Sequence, residues 1–187
     1  MNLDELKTLY ASGKRTRFLM FWGHTAKRGD AVGAWCLSQW FGAAFEIDGV
    51  RYATTEHFMM AEKARLFGDE ETLEEILRAS SPGAAKALGR KVRGFDNDRW
   101  CASRYEIVVR GNVGKFSQNS ELGAFLTGTK NRVLVEASPP DRVWGIGLAA
   151  DDERAENPLL WRGLNLLGFA LMDVRDTLDH QDLCSAL

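Results

Sequence analysis

Apolar and polar positions alternate between two periods along this chain. FLMFWG (18–23) is an unbroken apolar run of strand length, bounded by charge on one side and Gly23 on the other. AFEIDGVRYA (44–53) alternates around Asp48-Gly49, a pair suited to a two-residue turn whose central residues both need positive φ, so it predicts a hairpin. NRVLVEAS (131–138) reads as another strand, closed by the turn SPPD.

The remaining periodicity is helical. Helices are predicted over residues 3–12, 55–67, 71–80, 100–116 (despite two glycines) and 163–178. Ser81-Pro82 stops the third of these and starts another helix, with Pro82 at its first position. Asn119-Ser120 caps a short helix ending near Thr127-Gly128. Residues 24–34 read as a polar, Gly-rich loop. Residues 139–160 lack periodicity and predict a long ordered loop, a kind of segment that often carries function. With no βαβ alternation, the pattern predicts an α+β fold: a mostly helical single domain with a small antiparallel β-sheet. The domain is expected to span residues 1–187, with its core over about 18–178.

Composition excludes several classes. A chain of 187 residues, 45% hydrophobic and 27% charged, has ordinary globular make-up and length for one sizeable core. A net charge of −2 gives no global signal for nucleic acid and leaves room for a local basic groove. Cys36, Cys101 and Cys184 are odd in number and widely spaced, and neither they nor His24, His57 and His180 show metal-ligand spacing. Reduced thiols and no metal are expected. The N-terminus has no apolar leader core, and no apolar run reaches spanning length, so a cytoplasmic protein without a membrane partner is expected.

The helix TEHFMMAEKA (55–64) raises the chemical question. Glu56 and Lys63 lie nearly two full turns apart and share a face with Met59 and Met60. Two readings fit. In one, Glu56 complements the helix dipole and Lys63 runs past the methionines to water. In the other they are a half-buried acid and amine in a cleft, where a desolvated Lys becomes a nucleophile toward a carbonyl and a desolvated Glu moves protons near neutrality. His57 points about 100° away from Glu56 and is read as structural. Arg90, Lys91 and Arg93 form a small basic cluster, either a solvated face or a phosphate contact.

Further motifs follow in order: FWGH (21–24), LSQW (37–40), FEIDGVRYATTEHFMMAEKA (45–64), SSPGAAKALGR (80–90), FDNDRW (95–100), KFSQN (115–119), LVEASPPDRVWGIGL (134–148) and WRGLNLLG (161–168). Together they resemble the NADAR family of YbiA-like proteins, from about Phe18 to Arg175. The resemblance implies a domain that handles ribosyl-nucleobase compounds, with no cofactor. It implies hydrolysis of an N-glycosidic bond, either removing ADP-ribose from guanine in nucleic acid or nucleotides, or cleaving ribosylaminopyrimidine phosphates of riboflavin biosynthesis. A non-catalytic ADP-ribose-binding module is the competing reading. Pairing with an ADP-ribosyltransferase is a further implication. Where the family carries Asn after Leu-Ser, this chain has Gln39, an amide one methylene longer.

The resemblance makes Glu56, Lys63 and Asp141 the expected catalytic residues. It assigns Gln39, Trp100, Glu136, Trp144, Gly145, Gly147, Gly163 and Asn165 to substrate binding. Each also has a plainer reading. Glu136 sits on a strand, Asp141 in a turn, and Trp100 and Trp144 suit a core. Trp144 also suits stacking on a base, and Gly145 and Gly147 suit close approach of amides to a phosphate. Gly163 opens the last helix, whose free amides suit a phosphate. Asn165 lies one step from an apolar stripe and is either a ligand or a bonded core amide.

Overall fold

The computed structural model describes the backbone of residues 1–25 and 32–185, with side chains to residue 180. Most of the loop expected over 24–34, and the Cys184 thiol, lie outside the described residues. In chain order the elements are α1 (Leu3–Ala11), β1 (Phe18–Phe21), a 3-10 turn (Ala34–Leu37), β2 (Phe45–Ile47), β3 (Val50–Tyr52), α2 (Thr55–Phe67), α3 (Glu70–Leu77), α4 (Pro82–Gly89), α5 (Asn97–Gln118), α6 (Ser120–Thr127), β4 (Val133–Glu136), a 3-10 turn (Pro158–Leu160) and α7 (Leu166–Ser185). The fold is α+β and mostly helical, as the periodicities require. No helix among the described residues is long and apolar enough to cross a membrane. The residues group into two compact units, Gln39–Ser120 and a second formed by Met1–Ser38 with Glu121–Leu187.

In the unit of Gln39–Ser120, Asp48 (φ 53°) and Gly49 (φ 74°) make the expected turn, and Phe45 pairs with Tyr52 across the antiparallel hairpin. Those two rings stack at 5.8 Å, and Phe58 of α2 meets Tyr52 edge-on at 5.0 Å. The free edge of β2 is covered by an amide. Gln118 accepts the Glu46 N–H at 2.9 Å and donates to the Glu46 carbonyl at 2.8 Å, as a neighbouring strand would. The glycines of α5 have a packing reason. A Cβ on Gly111 would fall 2.6 Å from the Phe58 ring, and one on Gly114 would fall 2.9 Å from the Phe45 ring. Each glycine costs the helix about 1 kcal/mol, offset by two phenylalanines buried to 1% and 3% exposure. Thr54 caps α2 by accepting the His57 N–H, and Gly68 ends it at φ 69°.

In the other unit β1 and β4 run parallel, with Phe18 opposite Val133 and Phe21 opposite Glu136. The sequence reading expected only antiparallel pairing. A parallel pair needs a long crossover, and here the chain between the strands contains the whole of the other unit, which no local pattern discloses. Helix α7 packs on β4, and its Leu167, Ala170, Leu171 and Val174 are all buried. Arg175 at 5% exposure donates to the Thr129 hydroxyl and the Arg132 carbonyl.

Candidate active site

The first half of α2 is buried on every side. Thr55, Glu56, His57, Phe58, Met59, Met60 and Ala61 are all buried, so a single apolar stripe is not what buries Glu56. Its carboxylate, 2% exposed, sits in the first turn, where the helix dipole favours negative charge. The Glu56 N–H and the Thr55 hydroxyl both donate to the Gln39 carbonyl, at 3.0 and 3.1 Å. Gln39, itself buried, accepts from Asn112 Nδ2 at 3.1 Å and places its own Nε2 3.4 Å from Met59 Sδ. Asn112 is fully buried on α5, and its Oδ1 has no hydrogen-bond partner among the described residues.

One turn further along α5 lies Lys115, also fully buried, with Nζ 5.0 Å from the Phe116 ring centroid and 5.6 Å from that of Phe41. A buried cation is costly enough that chains rarely keep one without a use for it. Sequence reasoning quoted Lys115 in KFSQN but gave it no role. The signal was there. Val108, Gly111, Asn112 and Lys115 fall on one stripe at three- and four-residue spacing, and all are buried.

Lys63 is half-buried two turns after Glu56, about 10 Å along the axis. Its ammonium donates to the Gly89 carbonyl at the end of α4, at 2.8 Å. It also lies 4.2 Å from the Phe95 ring centroid and 5.6 Å from that of Trp100. Burial lowers its pKa below the ordinary 10.5. Trp100, half-buried in the first turns of α5, thus walls the amine.

His57 is held neutral. Its Nε2 donates to the Ala79 carbonyl at 3.1 Å, which leaves Nδ1 to accept from the Thr54 hydroxyl at 2.8 Å, and burial lowers its pKa. Arg93 of the basic cluster is committed to Asp69 and Glu71, leaving Arg90 and Lys91 exposed.

The other sequence-derived residues lie in the second unit, around the end of β4. Glu136 is half-buried there. Asp141 Oδ1 accepts the N–H groups of Val143 and Trp144 at 2.8 and 2.7 Å, so one carboxylate oxygen fixes the turn that presents Trp144. The segment 142–146 is laced on both sides. Ile146 N–H donates to the Glu136 carbonyl, Leu164 N–H to Arg142 and Asn165 N–H to Gly145. That lacing explains two glycines. A Cβ on Gly145 would meet the Glu136 carbonyl at 2.8 Å, and one on Gly163 would meet the Gly145 carbonyl at 2.3 Å. Gly147 has φ 69°. Gly163 precedes α7, which begins at Leu166 because Asn165 has φ 54°. Asn165 is the bonded core amide, with both ends of its side chain on β4. The structure therefore groups Gln39, Glu56, Lys63 and Trp100 in one unit, and Glu136, Asp141, Trp144, Gly145, Gly147, Gly163 and Asn165 in the other.

Comparison with known proteins supports a shared architecture. The NADAR domain matches residues 20–179 of this chain. N-glycosidase R617 of Acanthamoeba polyphaga mimivirus is 41% identical over 158 residues, which is 82% of this chain and 92% of that protein. N-glycosidase YbiA of Escherichia coli (strain K12) is 33% identical over 133 residues, 71% of this chain and 74% of that one. The NMR structure of the E. coli protein YbiA superposes with a TM-score of 0.69 at 28% identity, covering 90% of this chain and 89% of the other.

Proposed function

This chain belongs to the NADAR family, and we propose that it is an N-glycosidase, a hydrolase that removes ADP-ribose from guanine in nucleic acid or nucleotides. Relatives over most of its length are named N-glycosidases. The observation that carries the reading is the state of Lys63, an amine made less basic by burial on the same helix as a buried carboxylate.

The chemistry follows from those groups. Cleavage at ribose C1 needs a proton for the departing base and relief of the electron-poor carbon. When the ribose ring opens, C1 becomes the carbon of an imine to the base nitrogen. The neutral amine of Lys63 adds to C1, the base nitrogen leaves with a proton, and a lysine imine remains. Water then adds to C1, the C–N bond to Lys63 breaks, and free sugar and amine are restored. In this scheme Glu56 carries protons between water, amine and base. Such a substrate arises by ADP-ribosyl transfer to guanine, the reaction class of the expected partner enzyme.

The test is incubation with an ADP-ribosylated guanine oligonucleotide and, separately, with a ribosylaminopyrimidine phosphate, following released sugar by chromatography. Release of ADP-ribose supports the proposal. Release of ribose 5-phosphate from the second substrate alone reassigns the substrate. Turnover of neither, with tight ADP-ribose binding, leaves only a binding module.

A further inference from the structure

The unit that contains the parallel strand pair also contains a cleft of about 910 Å³. Its walls carry Lys14, Arg15, Arg17 and Arg132, with Tyr10 and Phe18 between them. These residues come together because β1 and β4 are parallel and in register. Phe18 lies opposite Val133, so the preceding residues Arg17 and Arg132 share one end of the pair, where the Val133 N–H donates to the Arg17 carbonyl at 2.9 Å. Glu136 marks the other end, about 10 Å away at the rise of an extended strand.

The four cations outnumber the acids among the described residues of the cleft. Among the described residues none of them forms an ion pair. Arg17 is oriented by the neutral side chain of Asn131 at 2.8 Å and Arg132 by the Thr129 carbonyl at 3.2 Å, partners that bring no negative charge to either guanidinium. Lys14 and Arg15 are exposed. Among the described residues a single carboxylate, Glu156, lines the same cleft. In a chain of net charge −2, such a cluster is a local excess that repels itself until an anion fills it.

We propose that this cleft binds single-stranded nucleic acid, with the phosphodiester backbone on Lys14, Arg15, Arg17 and Arg132 and a base against Tyr10. Cations line the path of a backbone, and aromatic faces offer stacking surfaces that every base can use. A duplex keeps its bases stacked on each other and has nothing to offer Tyr10. The proposal stands on the cleft and does not depend on the hydrolase reading.

The experiment is fluorescence anisotropy of a labelled oligothymidylate against the full chain over a series of salt concentrations. Engagement of all four cations gives a slope of log K against log salt of about −2.8, at about −0.7 per phosphate neutralised. The double variant Lys14→Glu/Arg15→Glu, placed on exposed residues, is expected to reduce that slope to about −1.4 and to weaken binding at least about tenfold. Tyr10→Ser is expected to weaken binding about tenfold even where salt screens the charges. Salt-independent binding, an unchanged slope in the double variant, tighter binding to a duplex of the same length, or no binding beside strong binding to phosphatidylserine vesicles would each overturn it. Hydrolysis is read in a separate assay on a free ADP-ribosylated guanine nucleotide. Loss of strand binding with intact hydrolysis defeats the cleft alone, and the converse defeats the hydrolase alone.

Discussion

Asn165 Oδ1 accepts the backbone N–H of Glu136 at 3.0 Å, and Asn165 Nδ2 donates to the Leu134 carbonyl at 2.9 Å. One buried side chain thus ties the start of α7 to the last turn of β4, and fixes the backbone that carries Glu136. Asn165→Ala removes both bonds, leaves a buried N–H without an acceptor, and puts a β-carbon residue at φ 54° without the local amide that eases it. A loss of about 3 kcal/mol is expected in urea unfolding. Asn165→Gly relieves the backbone and isolates the hydrogen-bond share. A loss under about 1 kcal/mol for the alanine variant would show that the tie is dispensable.

The roles proposed for Lys63 and Glu56 are expected to be separable from the fold. Lys63→Arg keeps a cation over Phe95 and Trp100 but cannot form an imine. Glu56→Gln keeps the volume of a side chain that is 2% exposed. Each is expected to lower turnover at least about 100-fold with circular dichroism unchanged. Borohydride added during turnover should leave a sugar adduct on Lys63. Lys115→Arg is the informative control, because Lys115 is the more deeply buried amine. If the adduct vanishes in that variant and survives in Lys63→Arg, the covalent step moves to Lys115.

Lys63 also predicts a pH dependence. Burial lowers its folded pKa below 10.5, so the folded chain binds fewer protons than the unfolded one between the two values. Its contribution to stability therefore rises with pH across that window, and turnover that needs the neutral amine rises through the lowered pKa. Carbon-13 NMR of methylated lysines should show Lys63 titrating below the ordinary 10.5. Titration at or above that value would show that burial leaves the amine unperturbed.

Asp69 works in the opposite direction. Its carboxylate is the N-cap of α3 and accepts from the backbone and guanidinium of Arg93. The Arg93 side chain, its backbone N–H and Thr72 hold the Asp69 pKa well below the ordinary 3.8. The stabilisation is fully present above pH 3.8 and is lost as pH falls through the lowered value. Thermal melts of Asp69→Asn and wild type should differ at pH 7 and converge in acid. A gap that stays constant with pH would mean that the charge contributes nothing.

Two glycines are fixed by backbone, not by side chains that can move. A Cβ at Gly163 would lie 2.3 Å from the Gly145 carbonyl, and one at Gly168 would lie 2.1 Å from the Leu134 carbonyl. Either alanine variant is expected to destabilise by about 3 kcal/mol. Gly42→Ala, with open space around it, should change little. Wild-type melting temperatures for Gly163→Ala would refute this lacing of the loop.

The local elements were legible because they are written in neighbouring residues. Asp48-Gly49 specified a hairpin and Ser81-Pro82 marks a helix start, each through backbone chemistry within a few positions. The apolar periods gave the helical α+β class, and the ordered motifs gave the family. Other facts depend on partners distant in sequence. The parallel pairing of β1 with β4 joins strands more than a hundred residues apart. The burial of Glu56 and Lys115 is set by what surrounds α2 and α5, because a charged side chain looks the same on any face until packing removes its water. Sequence alone determined which chemical groups are present and the helices and strands that bear them. Tertiary structure decided which of those groups lose water and which cations meet across a strand pair, since desolvation and through-space charge depend on distance in space and not on order along the chain.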